Sequence, residues 1–250
     1  MGVKLKTVVL GLGLALAASF GVGAEASAEG STRRAEPPAA GLAVATFAGG
    51  CFWCMEPPFD RLEEVVSTTS GYTGGTTAGP SYKQVSAGGT GHAEAVRVVY
   101  DPAKVDYRTL LEVFWRNVDP LDAAGQFCDK GDEYRPAVFA HDEEQRRLAE
   151  ASKAALATSG RFERPVVVAI EPARGFYVAE DYHQDYYLKN PVRYRYYSVW
   201  TAPLAQASCG LGRVGQFACL YPASWERSQR PNGKSARAGL NRWPAYKWPR

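Results

Sequence analysis

Strand-like and helical segments alternate from Ala43 to about Trp200, and this alternation restricts the fold more than any other feature of the chain. Five segments have the β-branched content or the apolar alternation of strands: Ala43–Phe47, Val65–Tyr72, Ala93–Tyr100, Ala137–Ala140 and Pro165–Ile170. Three segments have helical patterns: Trp53–Leu62, Tyr107–Asn117 and Asp142–Ser159. Such interleaving predicts an α/β (α+β) sandwich with helices packed on a sheet. Within it we expect Ala93–Tyr100 to be half-buried and Pro165–Ile170 to be central.

A cysteine stands at the junction between the first strand and the first helix. Gly49 and Gly50 precede Cys51 and allow the backbone to turn sharply there. A helix start offers unpaired N–H groups and the positive end of the helix dipole, which favour a thiolate over a thiol. The bulky apolar residues Phe52 and Trp53 follow, and we expect them to form the wall of a small pocket beside the sulfur. Cys51 is therefore predicted to be reactive rather than structural.

Charge and cysteine content argue against several classes of function. The formal net charge is +3, but residues 198–250 hold eight Lys or Arg and one Glu, and residues 1–28 hold two Lys and one Glu, which leaves −5 for residues 29–197. An acidic body lacks the clustered cations that nucleic acid requires. Five cysteines are too few for a disulfide scaffold in a domain of this size. A single Cys-x-x-Cys and three separated histidines predict no metal site, and we assign no chemistry to His92 or His183.

The first 42 residues have the pattern of a targeting segment followed by a tether. Lys4 and Lys6 precede an apolar run from Thr7 to Val22, and small-residue cleavage motifs follow it. This pattern predicts a secretory signal peptide in residues 1–28. The small, polar, proline-containing residues 29–42 predict a linker rather than a folded element. We therefore expect an exported protein, periplasmic or secreted after cleavage, with no membrane span in its mature form.

Residues 198–250 differ in composition from the domain that is predicted for residues 43–197. Four of the six tryptophans fall there, among Arg, Ser, Pro and Gly without periodicity. One hypothesis is a reading-frame slip near Ser198, which the gene sequence would test. The other is a native extension that is disordered or binds a partner.

Polar side chains that could bind an oxygen accompany the cysteine. Glu94 lies at the start of a β-rich segment, where burial would raise its pKa, and Tyr82 and Tyr134 are predicted to be loop hydroxyls. From about residue 43 to 196 the chain resembles the A-type peptide methionine sulfoxide reductases. Eight motifs carry the resemblance, in the family's order: Gly50-Cys51-Phe52-Trp53, Gly71-Tyr72-Thr73-Gly74-Gly75, Pro80-Ser81-Tyr82, Gly91-His92-Ala93-Glu94-Ala95-Val96, Asp101-Pro102, Asp119-Pro120, Gly125-Gln126 with Asp129 and Tyr134-Arg135, and Ala179-Glu180-Asp181-Tyr182-His183-Gln184.

The resemblance implies a fold, a reaction and a set of site residues. The family's fold is a ferredoxin-like two-layer sandwich with a mixed sheet and flanking helices. Its members reduce the S epimer of methionine sulfoxide, free or in proteins, and use no bound cofactor or metal. Cys51 would attack the sulfoxide sulfur and become a sulfenic acid, while Glu94 would protonate the sulfoxide oxygen. The resemblance also implies that Tyr82, Tyr134 and Asp129 bind that oxygen through hydrogen bonds. Phe52 and Trp53 would form an apolar wall around the S-methyl group.

A second thiol must convert the sulfenic acid into a disulfide, which a thioredoxin-like donor, or dithiothreitol in vitro, then reduces. Cys54 is our first candidate, because one helical turn separates the two α-carbons by about 5–6 Å, a spacing that a disulfide tolerates. Many family members have glycine at that position and keep the second thiol in a C-terminal tail. Cys128, beside Asp129, is the alternative resolving cysteine, and the tail residues Cys209 and Cys219 come third.

Two other functions are compatible with some of these residues. A periplasmic dithiol–disulfide oxidoreductase would use Cys51 and Cys54 to exchange disulfides between proteins, but it would need neither Glu94 nor the tyrosines. A binding module for oxidised methionine would make Cys51 dispensable. Mutation of Glu94 separates a reductase from a disulfide-exchange protein, because only sulfoxide reduction should collapse.

Overall fold

A computed structural model of the chain describes residues 32–196. The predicted signal peptide, the tail after residue 197 and the two tail cysteines lie outside these residues. Within the described part of the chain, no helix has the length and hydropathy needed to cross a membrane.

A six-stranded mixed sheet forms one layer of the fold. Taken across the sheet, its strands are β7 (Ala169–Pro172), β6 (Ala137–Ala140), β1 (Ala43–Ala48), β3 (Ala93–Tyr100), β2 (Val65–Thr73) and β8 (Tyr177–Val178). Neighbouring strands are antiparallel, except for the parallel pair β6 and β7. A separate two-stranded hairpin consists of β4 (Gly125–Gln126) and β5 (Asp129–Lys130).

Helices form the second layer and enclose the main core. They are α1 (Phe52–Asp60), α2 (Tyr82–Ser86), α3 (Tyr107–Arg116), α4 (Glu143–Ala157) and α5 (Tyr186–Lys189), with a 3-10 turn at Asp132–Tyr134. The order β1-α1-β2-β3-α3-β6, with the central strands arranged β6-β1-β3-β2, is that of a ferredoxin-like sandwich. The fold class predicted from the sequence is therefore confirmed.

The core is built around the ring of Phe47 on β1. This ring stacks on Phe59 of α1 with centroids 5.1 Å apart, on Phe114 of α3 at 5.3 Å and on Tyr107 of α3 at 6.0 Å. Phe47 has no exposed surface. The helix that begins at the reactive cysteine and the helix α3 are therefore both anchored on the strand that leads into the site.

The structure corrects the prediction of a central strand at Pro165–Ile170. The strand is Ala169–Pro172, and it lies at the edge of the sheet. Val166 and Val168 are buried, but the Val167 N–H donates to the carbonyl of Pro120 at 2.8 Å instead of to a neighbouring strand. The apolar run is therefore buried by loop packing, which the pattern cannot distinguish from a strand.

The half-buried assignment of Ala93–Tyr100 is also wrong, because β3 lies in the middle of the sheet. Seven of its eight residues are buried, and only Arg97 is partly exposed. Val96 and Val98 face the main core, while Ala93 and Ala95 belong to a second, smaller cluster. Packing on both faces therefore removes the exposed side that the alternation predicted.

Helix α1 begins one residue earlier than predicted and ends two residues earlier, at Asp60. Pro57 and Pro58 lie inside it, so two backbone hydrogen bonds of the helix are absent. Other predicted boundaries are close to those observed. Asp142 caps α4 as expected, since its Oδ1 accepts the Gln145 N–H at 2.7 Å.

Part of the predicted linker is attached to the sheet. Arg34 forms a β-bridge with Tyr177 of β8, and the Ala35 N–H donates to the Phe176 carbonyl at 2.8 Å. Strand β8 has only two residues, and the added backbone covers its outer edge, whose polar groups need partners. The structure thus corrects the prediction of an unfolded tether for this part of residues 29–42.

Replacing Phe47 by alanine should lower the free energy of unfolding by about 3–5 kcal/mol, because it opens a cavity among three stacked rings. Urea denaturation measures the change. Val66 on β2 is 57% exposed, so Val66→Ala is a matched control that should change stability by less than about 0.5 kcal/mol. Equal effects of the two substitutions would contradict this account of the core.

Candidate active site

The turn between β1 and α1 places Cys51 immediately before the first residue of the helix. Gly50 has φ +84°, and a Cβ atom there would lie 2.6 Å from Cβ of Gln126. Cys51 is the N-cap residue, and its carbonyl accepts the N–H groups of Cys54 at 3.0 Å and Met55 at 3.3 Å. The predicted need for glycine before the cysteine is confirmed by both the backbone conformation and the close packing.

Gln126 supports this turn, and its role was missed from the sequence. Its side chain is buried; Oε1 accepts the Asp119 N–H at 2.6 Å, and Nε2 donates to the Asp119 carbonyl at 3.0 Å. These bonds fix the start of the hairpin that carries Cys128 and Asp129. The only sequence signal was its place in one of the quoted motifs.

Electrostatics around the sulfur correct the prediction of a resting thiolate. A hydrogen bond with the Cys54 thiol lowers the pKa of Cys51, but burial and the negative charges of Glu94 and Asp129 raise it, and the net pKa lies above its usual value. The helix N-terminus alone would favour the thiolate. Burial, followed by the neighbouring carboxylates, outweighs it, and the local sequence reveals neither.

Glu94 lies on β3 directly beneath the start of α1. Its Oε2 accepts the Phe52 N–H at 3.1 Å, and the side chain is only 2% exposed. Burial raises its pKa to about 8; the bond from Phe52 opposes the rise, and the charges of Asp129 and Glu133 add to it. At neutral pH the carboxyl therefore keeps its proton beside the cysteine.

Tyr82 and Tyr134 approach the same point from two other segments. Burial, followed by the charges of Glu94 and Cys51, raises the pKa of Tyr82 to about 12. Burial and the charges of Glu94, Tyr82 and Cys51 also raise the pKa of Tyr134. Both hydroxyls therefore remain protonated and can donate hydrogen bonds near the sulfur.

The two tyrosines do not lie in loops, as was predicted. Tyr82 is the first residue of α2, which a capping box between Ser81 and Gln84 begins. Tyr134 ends the 3-10 turn. Glu180 holds Tyr82 in place by accepting its N–H at 2.8 Å. Short helical turns therefore fix both side chains more firmly than loops would.

Phe52 and Trp53 form an aromatic wall beside Cys51, together with residues from the end of the domain. Phe52 is buried against the ring of His183, with centroids 4.9 Å apart. Trp53 stacks on Tyr186 at 3.6 Å with the two rings nearly parallel, and its Nε1–H donates to Nδ1 of His183 at 3.0 Å. The expected apolar wall is present, and its outer support comes from residues 183–186.

His183 positions Trp53 as a neutral ring. Burial lowers its pKa to about 4, although the charge of Glu180 opposes this shift. Because Nδ1 accepts a hydrogen bond from Trp53, the ring proton must lie on Nε2. That N–H is buried and has no hydrogen-bond partner among the described residues. His183 is thus a structural residue, and its hydrogen bond holds Trp53 in the wall of the site.

Three cysteines lie within residues 32–196, and no disulfide joins any two of them. Cys54 is one turn along α1 and forms the hydrogen bond that acts on Cys51. Cys128 is exposed in the turn between β4 and β5. Asp129, beside it, lies near enough to raise the pKa values of Cys51 and Glu94. The structure therefore places Cys54 in direct contact with Cys51.

Comparison with known proteins gives a consistent result. The family model described as "Peptide methionine sulfoxide reductase" matches residues 43–207. The chain is 57% identical over 151 residues to peptide methionine sulfoxide reductase MsrA of Ligilactobacillus salivarius. The aligned residues make up 60% of this chain and 88% of that protein. It is also 57% identical over 158 residues to the MsrA of Listeria innocua, over 63% of this chain and 89% of the relative.

Two solved structures are similar to the fold described above. The reduced form of Mxr1 from Saccharomyces cerevisiae has a TM-score of 0.57 and 33% identity, over 63% of this chain and 90% of that one. Methionine sulfoxide reductase A of Corynebacterium diphtheriae has a TM-score of 0.51 and 33% identity, over 61% of this chain and 77% of that one.

Replacing Glu94 by glutamine should stabilise the protein, increasingly so as the pH rises. The wild-type carboxyl ionises near pH 4.5 in the unfolded chain and near pH 8 in the folded protein. Folding therefore retains a proton in this window and loses stability as the pH rises through it. The difference between Glu94→Gln and wild type should grow by up to about 1.4 kcal/mol per pH unit and level off above about pH 8.

Urea denaturation across this pH window measures that difference. Glu63→Gln, which removes an exposed carboxylate, is the control and should show no such trend. A difference for Glu94→Gln that stays constant or shrinks with pH would contradict the assignment of a buried, protonated Glu94.

Proposed function

This chain belongs to the peptide methionine sulfoxide reductase family and reduces oxidised methionine, and we propose that Cys51 performs the reduction with Glu94 as proton donor. The observation that carries this proposal is the 3.1 Å hydrogen bond from the Phe52 N–H to Glu94. This bond holds the protonated carboxyl of Glu94 beside Cys51, which immediately precedes Phe52. A disulfide-exchange protein would have no use for this arrangement.

The first step begins with loss of the thiol proton from Cys51. While Glu94 is protonated, its charge no longer opposes formation of the thiolate. The Cys51 sulfur attacks the sulfoxide sulfur and forms an S–S bond, while Glu94 gives its proton to the sulfoxide oxygen. The resulting hydroxyl then passes from the methionine sulfur to the Cys51 sulfur as the S–S bond breaks and its electron pair stays on methionine. Cys51 becomes a sulfenic acid, oxidised by two electrons, and methionine leaves reduced by two electrons. The thiol proton then restores the carboxyl of Glu94.

Substrate is held from two sides in this mechanism. Tyr82 and Tyr134 donate hydrogen bonds to the sulfoxide oxygen, since both hydroxyls keep their protons, and Asp129 assists through its position near the sulfur. Phe52 and Trp53 enclose the S-methyl group. Because the oxygen, the methyl group and the attacking Cys51 sulfur each take a fixed direction around the sulfoxide sulfur, the pocket accepts one epimer, which we propose is the S epimer.

Cys54 resolves the sulfenic acid. Its thiol hydrogen-bonds to Cys51 before reaction, so its sulfur needs little movement to attack. The attack forms a Cys51–Cys54 disulfide and releases water, and a thioredoxin-like donor reduces the disulfide by thiol exchange. Cys128 lies in a separate hairpin and is exposed, which leaves it as the second candidate.

The site of action is outside the cytoplasm. Support for this comes from the basic, apolar and small-residue pattern of residues 1–28. Export would place the enzyme among periplasmic or secreted proteins whose methionines have been oxidised.

Reduction of each sulfoxide epimer, assayed separately with a thiol reductant, tests the function. The S epimer should be converted and the R epimer should not, and Cys51→Ser should abolish turnover. Glu94→Gln should lower the single-turnover rate by about 10²–10⁴-fold. The wild-type rate should fall as the pH rises above about 8, where Glu94 loses its proton.

A fully active Cys51→Ser or Glu94→Gln variant would sink this mechanism. Thiol–disulfide exchange, measured on the same Glu94→Gln preparation, is the control, because it needs only the two cysteines and should survive. Loss of both activities would mean that the substitution acts on folding, which the urea curves for this variant would also show.

Substitution of single cysteines tests how the enzyme is regenerated. Cys54→Ser should still release about one methionine per chain without reductant, because Cys51 can form one sulfenic acid, but it should lose turnover driven by thioredoxin. Cys128→Ser should keep both activities. Peptide mapping of the oxidised wild type should find the Cys51–Cys54 disulfide. The reverse result for the two variants would identify Cys128 as the resolving cysteine.

A further inference from the structure

Three carboxylates converge beyond the first turn of α1, toward its C-terminal end. Glu56 and Asp60 belong to α1, and Asp185 immediately precedes α5. One oxygen atom from each of the three lies within 4.8 Å of the other two. Glu56 is buried, Asp60 is partly buried and Asp185 is exposed. This carboxylate cluster is distinct from the residues assigned to sulfoxide reduction.

Hydrogen bonds fix the cluster in position. The Asp185 N–H donates to Oε2 of Glu56 at 3.0 Å. The Thr68 hydroxyl donates to Oδ1 of Asp60 at 2.6 Å, and the Tyr187 hydroxyl donates to its Oδ2 at 3.0 Å. Each carboxylate oxygen can accept more than one bond, so these contacts orient the oxygens and leave lone pairs that face one another.

The cluster is short of positive charge. It lies at the C-terminal end of α1, where the helix dipole is negative and favours cations, but the last turn of α1 contains no basic residue. Burial raises the pKa of Glu56 to about 8, the charges of Asp60 and Asp185 add to the rise, and the Asp185 N–H and the Ser70 hydroxyl oppose it. At neutral pH Glu56 therefore keeps a proton, which a bound cation would displace. Arg61 is the nearby cation, and it acts on Asp60.

The buried hydroxyl of Ser70 also lies beside Glu56, but it makes no hydrogen bond of ordinary distance and angle among the described residues. Ser70 on β2 has no exposed surface. Its hydroxyl lies close enough to Glu56 to affect that residue's pKa, but no acceptor or donor among the described residues meets it with hydrogen-bond distance and angles. A buried polar atom left in this way costs free energy unless something else binds it.

We propose that Glu56, Asp60, Asp185 and the Ser70 hydroxyl form a binding site for a hard divalent cation such as Ca²⁺. The donor set consists of oxygens alone, which Ca²⁺ and Mg²⁺ prefer. Two oxygens on opposite sides of a Ca²⁺ ion with bonds of about 2.4 Å are about 4.8 Å apart, and the three carboxylate oxygens lie within that limit. This site goes beyond sulfoxide reduction and does not depend on it.

Cation binding would tie together two segments that form the aromatic wall. Asp185 is followed directly by Tyr186, which stacks on Trp53, and Glu56 lies one turn along α1 from Phe52. A cation shared by Glu56 and Asp185 would therefore fasten α5 to α1. The expected consequence is greater resistance of the folded protein to heat.

Calorimetric titration of the chelator-treated, full-length protein with Ca²⁺, and separately with Mg²⁺, tests the proposal. One cation per chain should bind with a dissociation constant no weaker than about 10⁻³ M, the range of extracellular calcium modules. The midpoint of thermal unfolding should rise as the site fills.

Asp185→Asn should weaken binding by at least about tenfold, since it removes one anionic ligand. Asparagine tolerates the positive φ of 50° at this position, so the variant should fold. Asp181→Asn, an exposed acid four residues earlier in the same segment, is the matched control and should bind like the wild type. The proposal is overturned if neither cation saturates the protein by roughly 10 mM, or if the two variants bind alike.

Discussion

The hydrogen bond from the Phe52 N–H to Glu94 joins the helix that begins at Cys51 to the central strand of the sheet. A carboxyl that is 2% exposed needs such a partner, and the first turn of a helix has N–H groups to spare. The same burial that costs folding free energy keeps the proton on Glu94 at neutral pH. Burial of Glu94 thus costs stability and keeps its proton, whereas the bond from Phe52 holds the carboxyl in place and opposes the rise in its pKa.

The segment from Glu180 to Tyr186 contacts both the aromatic wall and the carboxylates of α1. On the substrate side Glu180 holds Tyr82, His183 orients Trp53, and Tyr186 stacks on the same indole. Further along α1, Asp185 meets the carboxylates of the helix. The side chain of Gln184 in turn fixes the segment to β2, because its Oε1 accepts the Ser70 N–H and its Nε2 donates to the Ser70 carbonyl. Access to the pocket and the position of α1 thus depend on a segment far away in sequence.

The local sequence pattern predicted the structure correctly wherever residues adjacent in the chain determine it. Strand β6 has the predicted bounds, Asp142 caps α4, and Cys51 begins α1 after a glycine in the left-handed region. It failed where distant residues decide, as in the apolar segment before β7, which pairs with the Pro120 loop. The resting protonation of Cys51 was missed for the same reason, since burial and then the charges of Glu94 and Asp129 on other elements raise its pKa.

The sequence by itself determined the order of strands and helices, the glycine turn before the cysteine and, through its motifs, the family and the chemical groups of the site. These features depend on backbone freedom, periodicity and residue type, which are local properties. Only the tertiary structure decided which groups meet: Glu94 with the first turn of α1, His183 with Trp53, and Glu56 with Asp185. The protonation states of the site residues follow from these contacts, because burial and Coulombic interactions depend on distance in space and not on distance along the chain.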